Sequence, residues 1–338
     1  MGGSWSNQQW LYFYPVFQGF QVSNQKIVFL GTGGTIAGTA ASALEHSDYT
    51  AAQVGVHALL ASLPGWNDGQ GAERYVVEQV AQLDSKDMGF DVWVKLAIRV
   101  AHFLAQADVQ GIVITHGTDT LEETAYFLQA LLAPSKPVVL TCAMRPSNAL
   151  VPDGPQNLLD AVAVASSAGA HGAHGVTVVC AGAIYGAEEV QKIHPYRLNA
   201  FSAGDAGPIG FVEQGRLRLL RDWPRGQGLT LGSALADAAW PRVEIVMSYA
   251  GADGTVVRAL LKAGVKGLVV AATGNGTVHQ DLEAALVLAM QQGVKVLRAT
   301  RCAEGRLLPG ANDALPAAPG LTPVKARIAL MLALMQGR

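Results

Sequence analysis

The chain is short of charge. Lys, Arg, Asp and Glu make up 15% of its 338 residues, and the formal net charge at pH 7 is −2. There is no basic block, which argues against nucleic acid as a principal partner. Cysteine is scarce: Cys142, Cys180 and Cys302 are the only three, and none belongs to a CxxC pair. The odd count and wide spacing argue against a disulfide framework and against structural zinc. They leave three small buried residues and a reducing compartment as the reading. No uncharged apolar run reaches about 18 residues, so no transmembrane helix is expected. Yet half the residues are hydrophobic. That excess suggests buried parallel strands, subunit interfaces, or both. Residues 1–25 carry no charge at all, but they do carry Trp5, Trp10, Tyr12, Phe13, Tyr14, Phe17 and Phe20. A secretory signal opens with positive charge and ends at a small-residue cleavage site. Here the first positive residue is Lys26, and Pro15 breaks the apolar stretch. Residues 1–25 therefore read as an extension outside the fold.

What is present is organised around Lys26–Gly38, KIVFLGTGGTIAG. Ile27-Val28-Phe29-Leu30 has the pattern of a strand buried on both faces. Glycines then follow in close succession, with Thr32 and Thr35 among them. Glycine lets backbone N–H groups turn toward an anion or a carbonyl oxygen. A hydroxyl at the carboxyl end of a central strand stands where open α/β sheets bind ligands. Thr35 is thus a candidate nucleophile, with nearby amides receiving its oxyanion. Two familiar motifs fail. The dinucleotide fingerprint needs glycine at Ile36, and the phosphate loop needs lysine at Thr39. Taken alone, the stretch reads equally well as a glycine-rich turn with two capping threonines.

Along the chain, Tyr49-Thr50 precedes a helical pattern through Leu63, ended by Pro64-Gly65. Strands are expected at Tyr75–Val80, Gly111–Thr115, Pro137–Ala143 and Val176–Cys180, alternating with helices. Thr120-x-x-Glu123 reads as a capping box before the helix Leu121–Leu132, and Asp153-Gly154-Pro155 starts another. Polar clusters at 32–35, 84–87, 116–120 and 144–147 all fall at strand carboxyl ends, on one edge of a parallel-rich sheet. Residues 185–208 look loop-like, and 221–240 read as a linker. Strands near 243–249, 267–272 and 294–299 follow, and Thr322-Pro323 opens the last helix. The expected architecture is two α/β domains. The N-terminal one (26–220) is larger, with a parallel-rich sheet and flanking helices. The C-terminal one (241–338) has a smaller parallel sheet.

The loops also resemble a family. Thr32-Gly33-Gly34-Thr35-Ile36-Ala37-Gly38, Asp84-Ser85-Lys86-Asp87-Met88 and Thr115-His116-Gly117-Thr118-Asp119-Thr120-Leu121-Glu122-Glu123 are similar to bacterial-type L-asparaginases. So are Ala143-Met144-Arg145-Pro146, Thr273-Gly274-Asn275-Gly276 and Pro323-Val324-Lys325-Ala326-Arg327. The resemblance runs in order over about 26–338. It implies hydrolysis of the side-chain amide of L-asparagine, with side activity on glutamine and no cofactor. It also implies a homotetramer of intimate dimers, with sites between one subunit's N-terminal domain and its partner's C-terminal domain.

The same resemblance implies roles. Thr35 attacks the amide carbon, with Tyr49 beside it on a mobile loop. Thr118, Asp119 and Lys192 form a second set. There Lys192 lies indoors, and burial would lower its amine's proton affinity enough to take a proton from Thr118 or water. Ser85 and Asp119 correspond to contacts with the α-carboxylate and α-ammonium. The backbones of Gly34 and Thr118 correspond to oxyanion donors, and Ala143 to a backbone contact at the amide end. His116 reads as structural. Three departures bear on substrate binding. Lys86 stands beside the substrate amine, where a cation would repel an ammonium unless turned to solvent. Gly251 replaces an Asn that some members donate to the neighbouring subunit. The neighbour's acidic residue has only Glu304 and Asp313 as candidates. Competing readings are a non-catalytic amino-acid sensor on the same fold and a tRNA-linked amidotransferase subunit, the latter short of additional domains and of a basic patch. The absent signal and the absence of a disulfide at Gln106 and Pro134 point to the cytoplasm.

Overall fold

In a computed structural model, residues 25–337 are described, apart from 62, 64–65, 67–73, 227, 230–234 and 236–238. The expected extension, save Gln25, lies outside the described residues. The chain builds two sheets with helices against them. Strand β1 (Lys26–Gly33) lies inside an eight-stranded sheet. The other strands are β4 (Tyr75–Leu83), β5 (Val109–Thr115), β6 (Pro137–Thr141), β7 (Gly175–Cys180), β8 (Ala183–Gly186), β11 (Gly210–Glu213) and β12 (Arg216–Leu219). Their order is β12-β11-β8-β7-β6-β5-β1-β4. From β4 to β7 neighbours run parallel; the β7–β8, β8–β11 and β11–β12 pairs are antiparallel.

The sequence of β1 explains its place. Ile27 and Phe29 pack in the core on one face, and Val28 and Leu30 in the core on the other. All four are at most 1% exposed. A strand that buries alternate residues on both faces belongs in the middle of a sheet. Helices α1 (Val56–Ala61) and α4 (Gly154–Ala165) cover the Phe29 face, while α2 (Phe90–Leu104) and α3 (Leu121–Leu132) cover the other. A short helix, α5 (Ala168–His171), precedes β7. The smaller sheet has the order β13-β14-β15, from Val243–Met247, Gly267–Ala272 and Lys295–Thr300, all parallel. Its helices are α6 (Thr255–Lys262), α7 (Gln280–Gln291) and α8 (Pro323–Met335). Thr322 accepts a hydrogen bond from the Lys325 N–H as the N-cap of α8.

Helix α8 joins the lobes. It packs on β13–β15 and also on α3. Trp240 stacks on Phe90 at 4.4 Å and lies against Trp93 and Phe127, and the Arg327 guanidinium sits over the Phe90 ring. Of the stretch expected to be a linker, Trp223 is buried in the N-terminal core. Its described ends are therefore packed rather than free.

Several local expectations are corrected. Residues 185–208 hold the end of β8 and a small ladder, β9 (Gln191–Lys192) with β10 (Phe201–Ser202). The β11–β12 hairpin follows; four-residue strands with mixed charge give too short a pattern to recognise. Tyr49-Thr50 is a two-residue strand, β3, paired with β2 (Thr39–Ala40), and the helix after it runs only over Val56–Ala61. Thr120 does not cap α3: its hydroxyl donates to the Ser85 carbonyl at 2.7 Å. Cys142 and Cys180 are buried and free, but Cys302 is exposed in the loop after β15.

Candidate active site

The chain leaves β1 toward β4 on one side and returns to β5 on the other, so the order in which strands are added reverses between β1 and β5. Open α/β sheets bind ligands at such a crevice. The carboxyl ends lie level there: Gly33 pairs with Leu83, Gly31 with Thr115, and Thr115 with Thr141. A register shift between Gly31 and Gly33 interrupts the ladder, and the Thr32 hydroxyl ties β1 to the Thr115 carbonyl at 2.9 Å.

Two loops meet at this point through their glycines. Gly34 has φ 82° and ψ −170° and lies against Gly117; a Cβ on Gly34 would come within 2.2 Å of the Gly117 Cα. Thr35 follows one glycine and Thr118 the other, so the close approach brings both threonines to one place. Ser85 packs on Gly117 as well, and its Oγ accepts the Asp119 N–H at 3.2 Å. Thr35, Ser85 and Thr118 are all at most 5% exposed.

Thr35 stands in a 3-10 turn (Thr35–Ala37), and its Oγ1 lies 2.6 Å from the Tyr49 hydroxyl. Tyr49 arrives on β3, fixed by the pairing with β2. Across the glycine contact, Lys192 donates from Nζ to Thr118 Oγ1 at 2.8 Å and to Asp119 Oδ1 at 2.6 Å. The Asp119 side chain is about half exposed and free to face a ligand as well. The amine thus sits between a hydroxyl and a carboxylate, within hydrogen-bond reach of both. Ala143 is fully buried at the end of β6; a Cβ on Gly154 would touch both it and Ile36, the residue after Thr35.

One expected contact is different. The Gly34 N–H donates to the Leu83 carbonyl at 2.9 Å and is not free to receive an oxyanion. Among the described residues no hydrogen bond engages the N–H of Thr35 or that of Thr118. Those two donors are available.

His116 is structural. Trp93 Nε1–H donates to Thr124 Oγ1 at 2.9 Å, which leaves the Thr124 proton for His116 Nε2 at 3.0 Å. His116 Nδ1 then donates to the Gly117 carbonyl at 2.7 Å. Complete burial lowers the imidazole pKa to about 4, so the ring is neutral and both nitrogens are used. Cys142 is no nucleophile either: the neighbouring Cys180 thiol and burial both push its pKa well up.

The departures find their places. Lys86 turns to solvent and pairs with Asp84 at 2.6 Å, so its charge is spent away from the crevice. Gly251 is exposed, with open space where a side chain would go. Asp313 is taken: its carboxylate pairs with the buried Arg298 and accepts the Gly310 N–H at 2.5 Å. Glu304 is exposed. Sequence reasoning missed Glu122, whose Oε2 accepts the Lys192 N–H at 3.1 Å. Burial raises the pKa of that carboxyl, opposed by the charge of Lys325. The only signal was its position in the first turn of the helix that follows Thr118-Asp119, where it looks like a helix-start acid. Among the described residues no group of three His, Cys, Asp or Glu side chains is placed to hold a metal ion.

Comparisons with known proteins agree over nearly the whole chain. Residues 26–225 match the family model described as asparaginase, N-terminal, and residues 242–338 the glutaminase/asparaginase C-terminal domain. L-asparaginase 2 of Bacillus subtilis is 37% identical, over 91% of this chain and 82% of that protein. The glutaminase-asparaginase of Pseudomonas fluorescens biotype A is also 37% identical, over 91% and 86%. The crystal structure titled probable cytoplasmic L-asparaginase from Campylobacter jejuni superposes with a TM-score of 0.84 at 36% identity, covering 92% of this chain and 95% of that one.

Proposed function

The chain belongs to the asparaginase family, an amidohydrolase family, and from that premise we propose that it hydrolyses the side-chain amide of L-asparagine with Thr35 as nucleophile. One observation carries the reading. The Gly34–Gly117 contact joins a Thr35–Tyr49 pair to a Thr118–Asp119–Lys192 set, bringing side chains from distant parts of the sequence to one crevice.

The chemistry needs a nucleophile, a proton path and an oxyanion site. The substrate α-ammonium pairs with Asp119 and its α-carboxylate accepts from the Ser85 hydroxyl. The Ala143 carbonyl receives an N–H of the amide. Thr35 Oγ1 adds to the amide carbon, and the N–H groups of Thr35 and Thr118 take the oxyanion. The Thr35 proton leaves along the Tyr49 hydroxyl and ends on the departing nitrogen. The C–N bond breaks, ammonia leaves, and an ester on Thr35 remains. Water then attacks the ester. Its proton passes through the Thr118–Lys192 pair and returns to Thr35 Oγ1 as the C–O bond breaks, releasing aspartate. General acid–base help of this kind contributes about 10²–10⁴-fold.

Glutamine is a second, weaker substrate in this reading, as the name of the Pseudomonas relative suggests. We further propose a homotetramer, for which large exposed apolar side chains on the smaller lobe (Met247, Tyr249, Val256, Leu288) speak. A cytoplasmic location is proposed from the free Cys142 and Cys180. The division into 26–220 and 241–338 with a crossing at 221–240 is likewise proposed. Ammonia release from asparagine, glutamine and D-asparagine tests the activity. Release from asparagine that Thr35→Ala abolishes is the expected result. No ammonia from any of the three with folded protein would refute the reading and leave a binding protein.

A further inference from the structure

Lys325 is a lysine with no exposed surface at all. It lies in the first turn of α8, on the smaller lobe. Its Nζ donates to the Glu188 carbonyl at 2.8 Å and to the Val190 carbonyl. These carbonyls belong to the segment that enters β9, and β9 carries Lys192. A buried ammonium costs several kcal/mol unless hydrogen-bonded, so its retention calls for a reason.

Strand β9 itself is short, although the buried Val190 just before it and the Ile193 N–H bond to the Ala200 carbonyl just after it anchor its ends. It is two residues long and pairs only with the equally short β10. Ladders of that length are marginal. From the other side, Glu122 accepts the Lys192 N–H, and Glu122 stands in the first turn of α3, directly after Thr118-Asp119. The charge of Lys325 also acts on Glu122, opposing the burial that would neutralise its carboxyl. The main chain around Lys192 is therefore gripped twice, through its carbonyls by Lys325 and through its N–H by Glu122. We infer that Lys325 is a positioning residue of the second lobe, holding β9 so that Lys192 Nζ meets Thr118 and Asp119. Burial lowers the Lys325 pKa to about 8, with Glu122, Glu189 and Glu188 pulling it back up. A charged clamp at neutral pH fits that balance.

This inference rests on the amidohydrolase reading given above. Its test is a double-mutant cycle on ammonia release, with Lys325→Met, Lys192→Ala and both together. Lys325→Met lowers kcat 10–100-fold, order-of-magnitude for a displaced proton-transfer group, and leaves KM for asparagine within a few fold. In the Lys192→Ala background the same change lowers kcat less than about twofold, because the group it positions is gone. Equal losses in both backgrounds, or no loss in the first, overturn the inference. A merely structural role gives the equal losses. Where Lys325→Met fails to fold, Lys325→Gln, which keeps N–H donors on a shorter uncharged stem, takes its place. Where Lys192→Ala is silent, the crystal structure of the Lys325 variant decides: Lys192 Nζ out of reach of Thr118 Oγ1 supports the inference, and an unchanged 2.8 Å contact overturns it. An unmutated protein inactive on every amide refutes the amidohydrolase reading instead, and the two failures are told apart by that control.

Discussion

Gly34→Ala is the sharpest test of how the two loops are brought together. An alanine Cβ at this position would lie 2.2 Å from the Gly117 Cα and 2.3 Å from its nitrogen, whereas ordinary contact begins at 3.4 Å. The obstacle is backbone on both sides, so no side chain can swing away. The loops must part by about 1.2 Å, the difference between those two distances. The φ of 82° with ψ of −170° lies in a region that glycine alone enters freely, adding about 1–3 kcal/mol of strain. A displacement of about 1 Å between reacting groups costs on the order of 10²-fold in rate. The expected outcome is a folded protein with a lower melting temperature and kcat for asparagine reduced about 100-fold. Ammonia release in a coupled assay measures the rate, and thermal unfolding measures the rest. Gly169→Ala is the control, since nothing lies within 4 Å of its Cβ. A Gly34→Ala protein with more than half the original kcat would refute the idea that this contact sets the distance between the two threonines.

Tyr49→Phe removes the hydroxyl 2.6 Å from Thr35; kcat falls about 10²-fold or more while the melting temperature holds. Asp313→Ala leaves Arg298 buried and unpaired, costing about 3–5 kcal/mol in chemical denaturation, with kcat per folded molecule preserved. A lost kcat without lost stability would instead make Asp313 part of a site. His116 and Asp160 pull in opposite directions with pH. Burial lowers His116 from 6.5 to about 4, so stability present above pH 6.5 is lost as pH falls to about 4, about 3 kcal/mol. Burial raises Asp160 from 3.8 to about 6, so its penalty sets in as pH rises from 3.8 through 6, also about 3 kcal/mol. Asp160→Asn is therefore more stable than the unmutated protein at pH 7.5 by up to about 3 kcal/mol, and the gain vanishes near pH 4. Urea titrations across that range check it.

The sequence carried the parallel strands because their residues are buried on both faces and read as continuous apolar runs. It carried Thr35, Thr118 and Asp119 because they stand in distinctive glycine-bearing strings. Lys192 needed the family resemblance, since nothing in Glu188–Lys192 by itself distinguishes a buried lysine from a surface one. Glu122 and Lys325 stayed hidden for a related reason. Each contacts main-chain atoms of β9 or of the segment entering it, and contacts to main chain leave no mark on residue type. The β8–β12 edge was lost because strands of two to four residues give too short a pattern. The oxyanion donor was misassigned because which N–H a carbonyl captures depends on the pairing of Gly33 with Leu83, a register that letters do not show.

The stack of Trp240 on Phe90, the ring over which the Arg327 cation also sits, has a practical consequence. The halves of the molecule are held together by that seam and by α8 lying on α3. Trimming the seam, as Trp240→Ala would, should thus lower turnover by letting the two halves drift apart.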